Sequence, residues 1–206
     1  MFRPDSPFVN FLTRAFNFIA ANFLFVLTSI PIITIGASWS ALYRVISNLV
    51  DDSSTSLGIY FETFRGKFKM ATKIWVPCAV LLFLLLTETL FISNTAGTEI
   101  ALPSGGAIQI ILIVIAVLLF SVLSYAFPLI GMNDMPLKQI LGISFYLAVS
   151  NFFSTVVMTV LNLAPVLMFF RFPGLAAGLL PLWLFAAFSV VTWVDCKLIK
   201  KALKKL

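Results

Sequence analysis

The chain has 206 residues, of which 61% are hydrophobic and 11% are charged, and its formal net charge is +6. A water-soluble domain usually carries about 25% charged residues. This composition, with a mean hydropathy of +1.07, therefore excludes an ordinary soluble fold. Histidine is absent and there are only two cysteines, which removes most metal-binding and acid–base chemistry. The sequence predicts one membrane domain over residues 1–206, with no metal or cofactor site.

The apolar residues form runs of about twenty, the length that a helix needs to cross about 30 Å of hydrocarbon. The runs are continuous and do not alternate, which favours helices, because backbone amides in a bilayer must be paired internally. We predict an all-α, polytopic transmembrane bundle with five spans. They lie at residues 16–36, 74–92, 107–129, 143–169 and 174–193.

Residues 38–49, after the first span, can form a helix of only about 20 Å. Crossing the membrane would place Arg44 in the bilayer, at a cost of at least about 2.5 kcal/mol near its centre. We therefore place this segment at the interface or in a re-entrant position, with the amino terminus outside. The alternative has six spans, with both termini inside, and the distribution of basic residues slightly favours it. The carboxyl terminus is cytoplasmic in both arrangements.

Residues 59–73 are the most amphipathic part of the chain, with phenylalanines at helical spacing and basic residues between them. This pattern predicts a helix that lies in the headgroup layer. It would act as an interfacial anchor or as a docking surface for a partner at the cytoplasmic face. The residues that we select for docking are Phe61, Phe64, Arg65, Phe68 and Lys69.

The later spans contain few polar groups. Glu88 is a cation site or, as we prefer, a solvated residue near the outer interface. Asn151 and Asn162 are three helical turns apart, so in one continuous span they would share a face for interhelical hydrogen bonds. Asp195 would pair with Lys197 at the interface. The link at residues 93–106 has no lysine or arginine, and its proline and glycines predict a turn.

Two further features bear on partners. Gly174 and Gly178 form a small-xxx-small pair that allows close helix approach, so they are also candidate partner-binding residues. Basic residues in the tail predict contact with anionic lipid headgroups of the inner leaflet, and not with nucleic acid. These are Lys197, Lys200, Lys201, Lys204 and Lys205.

The residues predict a binding or accessory protein and not an enzyme, since neither a phosphate-binding glycine loop nor a nucleophile with its base and orienting group is visible. A small stand-alone transporter or channel is the competing hypothesis. A lipid-modifying enzyme that uses Glu88 or Asp195 is a third.

Four short stretches carry a resemblance to a known family: Asn22-Phe-Leu-Phe, Ser29-Ile-Pro-Ile-Ile-Thr-Ile-Gly-Ala-Ser38, Ala41-Leu-Tyr43, and Phe61-x-x-Phe64 with Phe68 before Trp75. They resemble the YesL-like family of small bacterial membrane proteins, in which the corresponding patterns read approximately Asn-Leu-Leu-Trp, Leu-Pro-Ile-Val-Thr-Ile-Gly and Ala-Leu-Tyr. The chain departs at Phe25, where the family often has tryptophan.

Members of that family are commonly encoded beside carbohydrate importers of the ATP-binding cassette (ABC) type in Gram-positive bacteria, and no catalytic residues are established for them. The resemblance therefore implies an auxiliary or regulatory subunit that binds the importer's permease subunits in the bacterial cytoplasmic membrane.

Overall fold

The computed structural model describes residues 7–53, 55–95 and 105–204, and every regular element in these ranges is a helix. These elements include a 3₁₀ turn, Ile32–Thr34, and a π-helical turn, Trp183–Ala187. The all-α prediction is confirmed. The helices are α1 Pro7–Thr28, α2 Ile35–Val50, α3 Leu57–Thr95, α4 Gly105–Met132, α5 Leu137–Ser150, α6 Phe152–Arg171, α7 Pro173–Gly178 and α8 Leu180–Leu203.

Within these ranges, four helical stretches are long and apolar enough to cross a membrane: Phe8–Thr28, Leu57–Leu85, Ala107–Met132 and Leu180–Leu203. The bent pair of α5 and α6 brings the number to as many as five if it counts as one span. The chain is thus a membrane protein with several spanning helices. Most of the predicted turn at residues 93–106 lies outside the described residues. Lys205, the last lysine of the tail, also lies outside them.

The first span begins and ends earlier than predicted. Residues 16–36 were expected to form one helix, whereas α1 ends at Thr28 and α2 starts at Ile35. Pro31 explains the break, because its ring disfavours the helical conformation of the residue before it and it has no amide hydrogen to donate. The apolar residues that precede position 16, such as Phe8 and Phe11, belong to the helix instead.

The amphipathic segment and the second span form one helix. Residues 59–73 were expected to be a separate helix in the headgroup layer, but α3 runs without a break through 39 residues, or about 58 Å. Residues 70–73 include neither glycine nor proline, so nothing ends the helix at the predicted boundary. Pro77 lies inside α3, as is tolerated in membrane helices. The separate interfacial helix is not confirmed.

The predicted span at residues 143–169 is wrong as one straight helix. The chain bends by 105° between α5 and α6, at Asn151, whose backbone angles are φ −114° and ψ 54°. The predicted span at 174–193 is displaced towards the carboxyl terminus, since the spanning helix begins at Leu180 and continues through Leu203. The lysine-bearing segment extends the apolar helix because no glycine or proline follows position 181.

α2 lies at the centre of the bundle and contacts α1, α3, α4 and α8. Ala37, Ala41, Leu42 and Tyr43 are completely shielded from solvent. Glycine, alanine and serine are frequent along this helix, and small residues allow neighbouring helices to approach closely. The helix that looked too short to span is therefore the element around which the others pack.

The two ends of the described chain lie at the same end of the bundle. Near the start of α1, Arg14 forms an ion pair with Asp52, in the link between α2 and α3. Near the end of α8, Lys200 forms an ion pair with Asp51 of the same link, with the Nζ and Oδ2 atoms 2.6 Å apart. We call this end of the molecule the basic end.

Candidate functional site

The docking residues predicted on α3 face in two directions. Phe61, Arg65 and Lys69 are exposed, and their spacing of four residues places them in one row, which we call the α3 stripe. Phe64 and Phe68 are half-buried and pack against the core, with their ring centroids 5.9 Å apart. Of the docking residues predicted on α3, only those of the α3 stripe are therefore available to a partner in this structure.

Gly174 and Gly178 lie in the six-residue helix α7 and are exposed. A Cβ atom added to either residue would meet no atom within 4 Å among the described residues. They do not mediate a close helix contact within the described chain, and their role in binding a partner stays a prediction.

Close helix approach occurs at two other glycines, which the sequence analysis did not select. A Cβ atom on Gly131 of α4 would lie 2.2 Å from the carbonyl oxygen of Ser40, and one on Gly36 of α2 would lie 2.8 Å from the Cβ atom of Trp75. Gly36 is part of the motif quoted for the family resemblance. These two positions hold α2 against α4 and α3.

A polar recess lies near the link between α4 and α5. Lys67 forms an ion pair with Asp134, and its Nζ atom donates to the Asn133 carbonyl at 3.1 Å. The hydrogen bond and positive charge of Lys67 lower the pKa of Asp134. Arg44 opens into the same recess and donates to the Met132 carbonyl at 3.2 Å. Arg44 thus has polar neighbours and a backbone acceptor within the protein.

Asp195 is the centre of a buried polar network, so the predicted interfacial pair with Lys197 is wrong. Its Oδ2 atom accepts hydrogen bonds at 2.7 Å from the Tyr43 hydroxyl and at 2.7 Å from Asn162 Nδ2. Residues two apart on a helix point in different directions, so Asp195 and Lys197 cannot share a face. Lys197 lies over the Trp193 ring instead, with Nζ 3.4 Å from its centroid.

The shared face predicted for Asn151 and Asn162 is also wrong, because the bend at Asn151 separates the two helices. Asn151 ends α5, and its Nδ2 atom donates to the Ser150 hydroxyl at 3.1 Å. Asn162 is in α6, and it joins α8 through Asp195. The interhelical hydrogen bond predicted for Asn162 is confirmed. Glu88 is exposed, and its position near the outer interface stays a prediction.

Asn22, in the motif of the family resemblance, connects α1 to the π-helical turn of α8. Its Nδ2 atom donates to the carbonyls of Trp183 at 2.9 Å and Leu184 at 2.7 Å. Its Oδ1 atom accepts from the Ser189 amide at 2.8 Å. The π-helical turn displaces backbone groups from their usual helical partners, and Asn22 satisfies three of them.

A cavity of about 330 Å³ lies between the helices, next to the Asp195 network. Asn162 and Thr192 belong to its lining, which is otherwise mostly apolar and rich in aromatic rings. The aromatic residues of the lining are Phe25, Trp39, Trp75, Phe120 and Phe188.

The described residues include no group of three or more histidine, cysteine, aspartate or glutamate side chains placed to hold a metal ion. Both cysteines are free, with Cys78 half-buried and Cys196 buried. The sequence analysis missed the Asp195 network and the cavity. The one available signal was that Tyr43 and Asp195 are polar residues within or beside apolar helices, where polar groups need partners.

The fold and these contacts define a helical membrane protein with a central helix and a buried polar network. Residues 18–89 match a family model described as "Protein of unknown function, DUF624". This match covers the stretches that carry the YesL-like resemblance and confirms that resemblance. Neither the curated proteins nor the solved structures include a match to the chain.

Proposed function

We propose that the protein is a non-enzymatic auxiliary subunit that binds the permease subunits of a carbohydrate importer of the ABC type. The kind of importer rests on the family resemblance. The binding role rests on one observation of the structure, the α3 stripe at the start of a continuous 39-residue helix.

The α3 stripe suits a docking role because its backbone is continuous with a membrane span. Phe61 is 42% exposed, and Arg65 and Lys69 follow it on the same face. Aromatic and arginine side chains contribute strongly to protein interfaces when they are presented on a rigid element. An acidic surface of a permease at the membrane boundary would complement the two cations.

The polar groups of the interior favour binding over independent transport. Tyr43 and Asn162 both donate to Asp195, and Ser121 of α4 pairs with Thr159 of α6 at 3.0 Å. These contacts join helices, and the neighbouring cavity has mostly apolar walls. A sugar path needs hydroxyl-binding groups along its length, so this interior supports an accessory role.

We place the basic end in the cytoplasm of a bacterium, with six passages through the membrane. Lysine and arginine are enriched on the cytoplasmic side of membrane proteins, and the α3 stripe and the tail lie towards this end. Both described ends of the chain contact the link between α2 and α3, which supports the arrangement in which α2 returns the chain across the bundle. The polar recess around Arg44 weakens the earlier objection to that arrangement.

Affinity purification in mild detergent tests the docking role. We expect the wild-type protein to recover permease subunits, and the combined Phe61→Ala, Arg65→Ala and Lys69→Ala variant to recover at least about tenfold less. A control with Lys138→Ala and Phe145→Ala removes an exposed lysine and phenylalanine from α5 and should leave recovery unchanged. Recovery of the wild-type protein as a lone monomer, with sugar uptake unaffected by gene deletion, would reject the proposal.

The competing function, a stand-alone transporter or channel, is favoured by the cavity beside Asp195. It predicts substrate flux into liposomes that contain this protein alone. The auxiliary role predicts no flux in that preparation.

A further inference from the structure

Asp195 is completely buried, and no cationic side chain is bonded to it among the described residues. The two nearest lysines of α8 have other partners, since Lys197 lies over Trp193 and Lys200 is paired with Asp51. Tyr43 and Asn162 both donate to the Oδ2 atom, whereas Oδ1 has no hydrogen-bond partner among the residues that the structure describes. The carboxylate is therefore only half satisfied.

A carboxylate with one unsatisfied oxygen is costly inside a membrane helix bundle, because neither water nor lipid tails compensate its charge. Buried charges in proteins are normally paired with an opposite charge. The described part of the chain offers no such side chain, but it does offer space for a ligand next to the network.

The space is the cavity of about 330 Å³, which is within the lower range for small-molecule sites. Asn162 joins it to Asp195, since this residue lines the cavity and donates to the carboxylate at 2.7 Å. Thr192, one helical turn before Asp195, also lines it. The carboxylate does not line the cavity itself, but it lies only one side chain away from this largely apolar volume.

The aromatic walls of the cavity also favour a cationic ligand. The faces of tryptophan and phenylalanine rings carry negative electrostatic potential and attract cations, most strongly when the cation has lost its water. Trp39, Trp75 and Phe120, from three different helices, line the cavity together with Phe25 and Phe188. Aromatic walls with a nearby uncompensated carboxylate are the chemistry that recognises an alkylated ammonium group.

We propose that this cavity binds a small organic ammonium cation. The positive charge of the ligand lies against the aromatic rings and is compensated by Asp195, which lies behind Asn162. The ligand class goes beyond the proposed auxiliary function and does not depend on it. A neutral apolar guest or a lipid tail would fill the same volume but would gain nothing from Asp195.

Equilibrium dialysis of the full chain in nanodiscs of zwitterionic lipid tests the proposal with two probes of equal shape. Benzyltrimethylammonium carries the charge, and neopentylbenzene replaces its nitrogen by carbon, with binding to empty nanodiscs subtracted for both. We expect the wild-type protein to prefer the cation at least about tenfold. Asp195→Asn should reduce that preference and leave binding of the neutral probe unchanged, while Asp134→Asn should change neither.

Equal binding of the two probes to the wild-type protein would overturn the proposal, as would an unchanged preference in Asp195→Asn. If Asp195→Asn does not fold, the Phe120→Leu variant provides the second test, because it removes one aromatic face and retains apolar volume. This variant should lower the affinity for the cation at least about threefold without changing that for neopentylbenzene. Equal losses for both probes would show an apolar cavity without charge recognition.

Discussion

Asn22 ties α1 to the irregular part of α8 through three hydrogen bonds. Its amide group pairs with Trp183, Leu184 and Ser189, which are distant in sequence and lie where α8 departs from regular helical geometry. Replacement by a residue without an amide group would leave these backbone groups without partners in a shielded position.

We expect Asn22→Ala to lower the free energy of unfolding by about 1–3 kcal/mol, because three hydrogen bonds are lost and interhelical bonds in membranes are each of modest strength. Thermal unfolding in detergent, followed by circular dichroism, measures this. Asn10→Ala, at an exposed position of the same helix, serves as control and should shift the curve little. Equal stability of the two variants would contradict the role assigned to Asn22.

The ion pair between Lys67 and Asp134 predicts a pH effect at the surface. The hydrogen bond and charge of Lys67 lower the pKa of Asp134 in the folded protein. A lowered folded-state pKa stabilises the fold above the unfolded value of about 4, and this contribution is lost as the pH falls through the folded value. In an NMR titration, Lys67→Met should raise the pKa of Asp134. An unchanged pKa would show that Lys67 does not act on Asp134.

Single residues show what the sequence could and could not predict. Exposure of Phe61 follows from its place in an amphipathic pattern, which is local information. The partners of Asp195 are Tyr43 and Asn162, on two other helices, and no local pattern links them. Asp195 therefore looked like an interfacial residue next to the lysine tail, although it is buried.

At the scale of helices, the close approach of α2 and α4 depends on Gly131. A methyl group there would meet the backbone of Ser40 at 2.2 Å, and backbone cannot move as a flexible side chain can. We expect Gly131→Ala to cost about 1–3 kcal/mol of stability as the two helices separate.

Gly142→Ala is the matched control, since a Cβ atom there meets nothing within 4 Å and alanine favours helix more than glycine does. The unfolding temperatures of the two variants, measured in the same detergent, test this expectation. If Gly131→Ala is as stable as the control, the helices are not held at the distance that the structure gives.

Helix positions could be predicted from hydropathy, but their ends and bends could not. The apolar runs located the four long spanning helices approximately, because the bilayer requires about twenty apolar residues. Two other features depend on how the helices pack. They are the continuity of the amphipathic segment with the second span in α3, and the 105° bend after α5. The central position of α2 was missed, because the prediction considered the short length of this helix and not its surface of small residues.

At the scale of the whole molecule, the arrangement around α2 brings the link after α2 and both described ends of the chain together. Arg14 and Lys200 reach adjacent aspartates of that link from α1 and α8. This contact pattern gives the molecule one basic end, which carries the α3 stripe and the tail. The proposed docking and the proposed orientation both depend on that end facing the cytoplasm.

Labelling of single cysteines with a membrane-impermeant thiol reagent tests this arrangement most directly. In a background with Cys78→Ser, the Ser53→Cys and Lys204→Cys variants should be protected in intact cells and labelled after permeabilisation, whereas Gly178→Cys should be labelled in intact cells. All three positions are exposed in the structure. Labelling of Ser53→Cys in intact cells while Lys204→Cys stays protected would place the α2–α3 link and the tail on opposite sides and contradict the arrangement.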